Sequence, residues 1–175
     1  MSGHPSVKLG LVKNLDDPQG LGQIECEFNN YPDPIRSAWA RVAAPMAGKD
    51  RGAFLMPEID DEVLITFEDG DFDHPYIIGF LWNGVDVPPE TTNQNRVIRT
   101  PGGHELRFED TAGQKKVILK SEGGHRVEID DSAQTITVRA NSGNQSIVLD
   151  DATQSVTIRG GGRMIKMSAG FIVMT

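Results

Sequence analysis

Leu106-Arg107-Phe108-Glu109-Asp110, Val127-Glu128-Ile129-Asp130-Asp131 and Ile147-Val148-Leu149-Asp150-Asp151 are three copies of one short alternating pattern, about twenty residues apart. Each is answered by a second apolar alternation, at Val117/Leu119, Ile136/Val138 and Val156/Ile158, so residues 102–162 hold three units of two strands. Turn landmarks recur with them: Gly102-Gly103-His104 matches Gly123-Gly124-His125 at a spacing of 21, and Asp130-Asp131 matches Asp150-Asp151 at 20. Near-constant spacing implies a near-constant rise per unit. Units of this size cannot bury their own apolar face and must stack on neighbours or on other copies.

Such a stack has two open edges and one apolar face, a combination that aggregates unless it is covered. Two arrangements would cover it. Identical chains about a threefold axis could form a closed prism whose interior receives the aliphatics, or an antiparallel meander could stack on the rest of the chain. In the prism the core set is Leu106, Phe108, Val127, Ile129, Ile136, Val138, Ile147, Leu149, Val156 and Ile158. Alternation places these ten on one face without showing which face turns inward. The last segment, Arg163–Thr175, keeps the strand pattern, loses the acidic turn and finishes on Phe171-Ile172-Val173-Met174-Thr175. A stack of strands normally needs a cap at its end, so these five residues are expected to dock another protein.

The first hundred residues differ in charge and composition. They carry eight Lys/Arg against sixteen Asp/Glu, whereas residues 101–175 carry nine against nine, within a chain of 175 residues and formal charge −8. An acidic first part argues against nucleic-acid binding through phosphate neutralisation. Candidate strands lie at Val7–Asn14, Gly22–Phe28, Ala38–Ala44, Asp61–Glu68 and Pro75–Trp82, separated by turns such as Asp16-Asp17-Pro18-Gln19-Gly20 and Pro32-Asp33-Pro34. Five strands of this size fit a small closed barrel. Pro45–Asp60 reads as a structured loop packed against it. Val87 to Asn95, rich in Pro, Thr and Asn, reads as a linker. The division is therefore a barrel domain at 1–90, a linker at 91–101 and repeats at 102–175.

Few residues suggest chemistry. The single cysteine, Cys26, sits in an alternating strand and reads as a small buried residue. Asp69, Asp71 and Asp73 begin like a calcium loop, but His74 stands where glycine is needed and Phe80 where the bidentate glutamate is needed. Gly160-Gly161-Gly162 lacks the Lys-Ser/Thr of a phosphate loop and reads as a turn. His104 and His125 would form rings of imidazoles in a trimer, though a histidine beside a Gly-Gly turn more often faces solvent. The paired aspartates recur with each turn, which points to turn formation rather than acid–base work. No catalytic constellation, metal or cofactor is expected, and the function reads as non-enzymatic. No basic start followed by an apolar segment marks a signal peptide, so synthesis in the cytoplasm is expected.

Ordered segments of the first part carry a family resemblance. Asp17-Pro18-Gln19-Gly20-Leu21-Gly22-Gln23-Ile24, Ser37-Ala38-Trp39-Ala40-Arg41-Val42-Ala43, Gly52-Ala53-Phe54-Leu55-Met56-Pro57-Glu58, Phe67-Glu68-Asp69-Gly70-Asp71 and His74-Pro75-Tyr76-Ile77-Ile78-Gly79 follow one another. This order, over about residues 10–90, closely resembles the OB-fold domain of VgrG proteins and phage-baseplate spike proteins of contractile injection systems. The repeat resembles that family's triple-stranded β-helix more weakly. The resemblance implies an all-β chain: a five-stranded OB barrel followed by a trimeric, intertwined β-helix needle that helps puncture the target envelope. It also implies a homotrimer in a phage-tail-like or secretion-system baseplate, contact with the target membrane on firing, a PAAR-type tip protein, and effector cargo. The family's hub domains and inserted lysozyme domain are not found in this sequence, so a separate hub protein is expected. The competing readings are an OB module for nucleic acid or carbohydrate, and a cell-wall-degrading enzyme acting through its carboxylates.

Overall fold

A computed structural model describes residues 7–28 and 31–174. Apart from one 3-10 turn at Glu68–Gly70, its regular elements are all strands, and the chain divides into two compact units, 1–87 and 88–175. Each unit has its own sheet.

The first unit contains β1 (Lys8–Asn14), β2 (Glu25–Phe28), β3 (Ile35–Arg36), β4 (Arg41–Val42), β5 (Ala47–Gly48), β6 (Arg51–Gly52), β7 (Glu62–Phe67) and β8 (Pro75–Leu81). Six of these form a sheet in the order β3-β2-β1-β7-β8-β4, whose two outer members are consecutive in the chain. β3 pairs with β2, β4 pairs in parallel with β8, and between them Ala40 and Ile24 exchange backbone hydrogen bonds of 2.8 and 3.0 Å. Residues 35–43 thus act as one bent strand that changes partner midway. This closes the sheet into a barrel along the stretch where that segment pairs.

That closure corrects the expectation of a continuous strand at Ala38–Ala44. A strand that must leave β2 and join β8 has to bend, so regular pairing survives only in two-residue pieces. Ile35–Arg36, just beyond the expected Pro-Asp-Pro turn, is the first piece.

The barrel interior follows from the period of two. Val12, Ile24, Cys26, Phe28, Ala40, Val63, Ile65, Phe67 and Ile77 form one buried cluster, with Leu15, Tyr31, Val42 and Met56 packed at its rim. Gly10 is required there, because a Cβ would come within 2.8 Å of the Ile65 methyl. Cys26 is fully buried, and burial together with the nearby Glu25 charge pushes its thiol up to about 12. It is a packing residue, not a nucleophile. The Asp17 carboxylate accepts backbone N–H groups from Gln19, Leu21 and Gln23, which accounts for the turn between the first two strands. In the Pro45–Asp60 connection Pro57 is buried and Met56 reaches the core, while Met46, Phe54 and Leu55 stay exposed around the β5–β6 hairpin.

The second unit is one antiparallel meander of nine strands: β9 (Asn95–Arg99), β10 (Glu105–Glu109), β11 (Lys116–Lys120), β12 (Arg126–Asp130), β13 (Thr135–Arg139), β14 (Ser146–Asp150), β15 (Ser155–Gly160), β16 (Arg163–Ser168) and β17 (Phe171–Met174). Each strand pairs with its neighbours in chain order. The two-strand units are consecutive hairpins of a single sheet. β9 falls inside the stretch expected to be a linker. Its Val97 and Ile98 supply the alternation, but Pro88, Pro89 and the polar run before it mask that signal.

Candidate functional site

The register of the meander assembles side chains that are far apart in sequence. Leu106 faces Ile98 and Leu119, Val127 faces Leu119 and Val138, and the column continues through Ile147, Ile158 and Ile165 to Met174. A parallel column runs from Phe108 through Val117, Ile129, Ile136, Leu149, Val156 and Met167 to Ile172. All ten residues singled out in sequence therefore share one face of one sheet. Val117, Leu119, Ile98, Ile165 and Met167 extend that face and were missing from the set, although the same alternation marks them.

Within the chain this face is unburied. Ile129, Ile136 and Leu149 are 40, 41 and 42% exposed, and among the described aliphatic residues of the meander only Ile118, on the opposite face, is buried. Contiguous apolar surface of this extent is unusual on a soluble monomer and marks an interaction site.

The opposite face is held by ion pairs. Arg107 bridges Glu90 and Glu105, and Lys116 bridges Glu128 and Asp130 at 3.3 and 2.8 Å. Arg126 pairs with Glu128. Hydrogen bonds from Asn95, Thr92, Arg107 and Thr91 hold the Glu90 carboxyl far below the usual carboxylate range. Arg107 lowers Glu105, and Lys116 with the turn amides of Ala133 and Ser132 lowers Asp130. The Asp130 and Glu128 carboxylates in turn raise Lys116.

The turns match the sequence reading. Asp130 accepts N–H groups from Ser132 and Ala133, and Asp150 accepts that of Thr153, while Gln134 and Gln154 take the left-handed conformation with φ of 55° and 48°. These carboxylates are committed to turn geometry. His104 and His125 are exposed, but each also ties its turn to the next: the Glu122 and Asn141 N–H groups donate to their Nδ1 atoms at 3.3 Å. Asp71 likewise has local partners, the Asp73 N–H and the His74 imidazole.

The five residues expected to dock a partner divide between faces. Ile172 and Met174 continue the apolar columns, Val173 lies on the opposite face beside Lys166, and Phe171 stands opposite Ser168 at the strand end. Thr175 lies outside the described residues. Phe171, Ile172 and Met174 are more than half exposed, and among the described residues nothing pairs with the outer edge of β17.

Residues 8–82, the barrel, match the model of the Type VI secretion system/phage-baseplate injector OB domain. The chain is 33% identical over 137 residues to the Type VI secretion system spike protein VgrG3 of Vibrio cholerae, a match covering 67% of this chain and 14% of that protein. It is 35% identical over 116 residues to the Actin cross-linking toxin VgrG1 of Vibrio cholerae, covering 61% of this chain and 11% of the relative. It is 35% identical over 114 residues to the Type VI secretion system spike protein VgrG5 of Pseudomonas aeruginosa, covering 58% and 14%. The chain belongs to the VgrG and phage-baseplate spike family. It spans about one-seventh or less of the length of these VgrG relatives, and the matches extend beyond the 75-residue barrel into other parts of the chain. Among the described residues no helix is long and apolar enough to cross a membrane.

Proposed function

We propose that this VgrG-like chain is a structural spike component of a contractile injection system, and that three copies close their meanders into a rigid prism. The observation that carries this reading is the pair of unbroken apolar columns on one half-exposed face. Each meander strand is about five residues, so a strand spans roughly 17 Å. In a three-sided prism of that width the axis lies about 5 Å from each sheet, half the roughly 10 Å at which packed sheets interdigitate. Two inward side chains per strand then fill the centre. A four-sided closure would leave a channel.

In that arrangement the ten residues from Leu106 to Ile158 form the trimer core. Eight steps between nine strands make the needle about 38 Å long. Its mechanical role is to carry axial force through a sheet whose apolar face is buried on other copies. The exposed outer edge of β17, with Phe171, Ile172 and Met174, is the docking surface for a PAAR-type tip protein, and effector cargo would travel with it. A baseplate hub protein anchors the barrel unit, and the needle meets the target membrane on firing. The role requires no bond-breaking chemistry of this chain.

Light scattering coupled to size exclusion tests the reading. The expected result is a particle of three 19.1 kDa chains that elutes earlier than a compact protein of that mass. A monomer would overturn it.

A further inference from the structure

The two lateral borders of the meander, where its turns lie, carry opposite charge. One border joins Arg99, Glu105, Lys120, Arg126, Arg139, Ser146 and Arg159 in direct cross-strand register, with Arg163 beyond Gly160. With Glu122 in its turns included, this border has a net charge of +4. The other border holds Glu109, Asp110 and the pairs Asp130-Asp131 and Asp150-Asp151, offset by Lys115, Lys116 and by Arg96, which pairs with Asp110, for a net charge of −3.

The basic border is unfavourable within one chain. Lys120 stands opposite Arg126, and Arg126 opposite Arg139, and like charges directly across an antiparallel pair repel. Arg139 and Arg159 have no ion-pair partner among the described residues, and the Arg126 Nε is buried without an acceptor. Asp131 and Asp151 are exposed, and their carboxylates accept no hydrogen bond among the described residues.

We propose that the acidic border of one copy seats on the basic border of the next in the closed assembly. The inference rests on the association of copies put forward above and adds how they meet. Rotation about an axis along the stack, without translation, sets each strand end against the opposite end of the same strand in the neighbour. Asp130 and Asp131, at the β12–β13 turn, then face Arg126 and Arg139 of β12 and β13. Asp151, at the β14–β15 turn, faces Arg159 of β15. Arg139 and Arg159, without an ion-pair partner among the described residues of their own chain, then meet carboxylates of the next.

Charge reversal tests this on the full chain. Arg139→Glu with Arg159→Glu makes both borders acidic at these levels; Asp131→Lys with Asp151→Lys makes both basic. Each pair is expected to reduce the yield of trimer on refolding at micromolar concentration by about tenfold, a loss relieved by 1 M salt as exposed charges are screened. The four substitutions combined restore opposite borders and are expected to recover the wild-type yield. A chain damaged in folding would not be rescued by two further changes. If the wild type is trimeric and both reversed pairs assemble as well as it does, or the combined variant stays as poor as either pair, the border contact is wrong while the trimer stands. If the wild type is monomeric, both proposals fail.

Discussion

The barrel and the meander are built from the same element, a short alternating strand, yet they treat their apolar face in opposite ways. In the barrel, Ile24, Ile65 and Ile77 are completely buried. In the meander, Ile129, Ile136 and Ile158 keep about two-fifths of their surface exposed. The difference is one of closure. Residues 35–43 bend from β2 to β8 and turn one sheet into its own second layer, whereas the meander extends in one direction and its own unit supplies no second layer among the described residues. A barrel of this kind holds its shape alone, while a one-layer sheet needs a partner surface to be stable.

The largest expected effect breaks the open side of this contrast. Ile129→Asp with Leu149→Asp places a carboxylate in each of three copies at two levels of the proposed core, where burying unpaired charge is prohibitive. Mass by light scattering should fall threefold, to the monomer. A variant that remains trimeric and heat-resistant would show that the face turns outward.

A smaller effect should separate the two regions. Phe28→Ala removes one of the largest fully buried side chains and should cost the barrel about 3–5 kcal/mol. Both tryptophans, Trp39 and Trp82, lie in the barrel unit, so their fluorescence reports on it alone. The fluorescence transition in denaturant should shift down while the assembled mass is unchanged. If the variant dissociates at the same denaturant concentration at which its barrel unfolds, the two regions are not independent.

Acid sharpens the contrast with the smallest effect. Glu90, Glu105 and Asp130 have folded pKa values below the ordinary carboxylate range, because they accept hydrogen bonds from Asn95, Arg107 and Lys116 respectively. Their contribution is therefore fully present above the unfolded carboxylate values and is lost as pH falls through the folded ones. All three belong to the meander unit; Asp71 and Asp17 of the barrel unit are lowered too, by turn N–H groups, but Glu90 is held furthest below the range. Below about pH 4, strand circular dichroism should decline before the tryptophan signal moves. Loss of both signals together would contradict this ordering.

The sequence was informative wherever structure depends on near neighbours. The ten apolar positions share a face because side-chain direction alternates with every residue, and Asp130 and Asp150 form turns through groups two and three residues away. The long barrel strands around Val12, Val63 and Ile77 were visible for the same reason. What stayed hidden depends on distant pairing. The bent closing strand has only two-residue stretches of regular partners, too short to show a period, and β9 follows a proline-rich run that resembles a linker. The link from His104 to the Glu122 amide crosses between repeats and leaves no local mark.

By itself, the sequence determined that this protein is made of alternating strands, that its second half repeats, and that one face of the repeat is apolar. These follow from a period of two and from turn residues a few positions apart. Only the tertiary structure decided how residues 35–43 close the barrel, and that Arg126 and Arg139 line one border while Asp131 and Asp151 line the other. Charges many residues apart become neighbours only when the turns set the strand register, and that register is a property of the paired sheet rather than of any single strand.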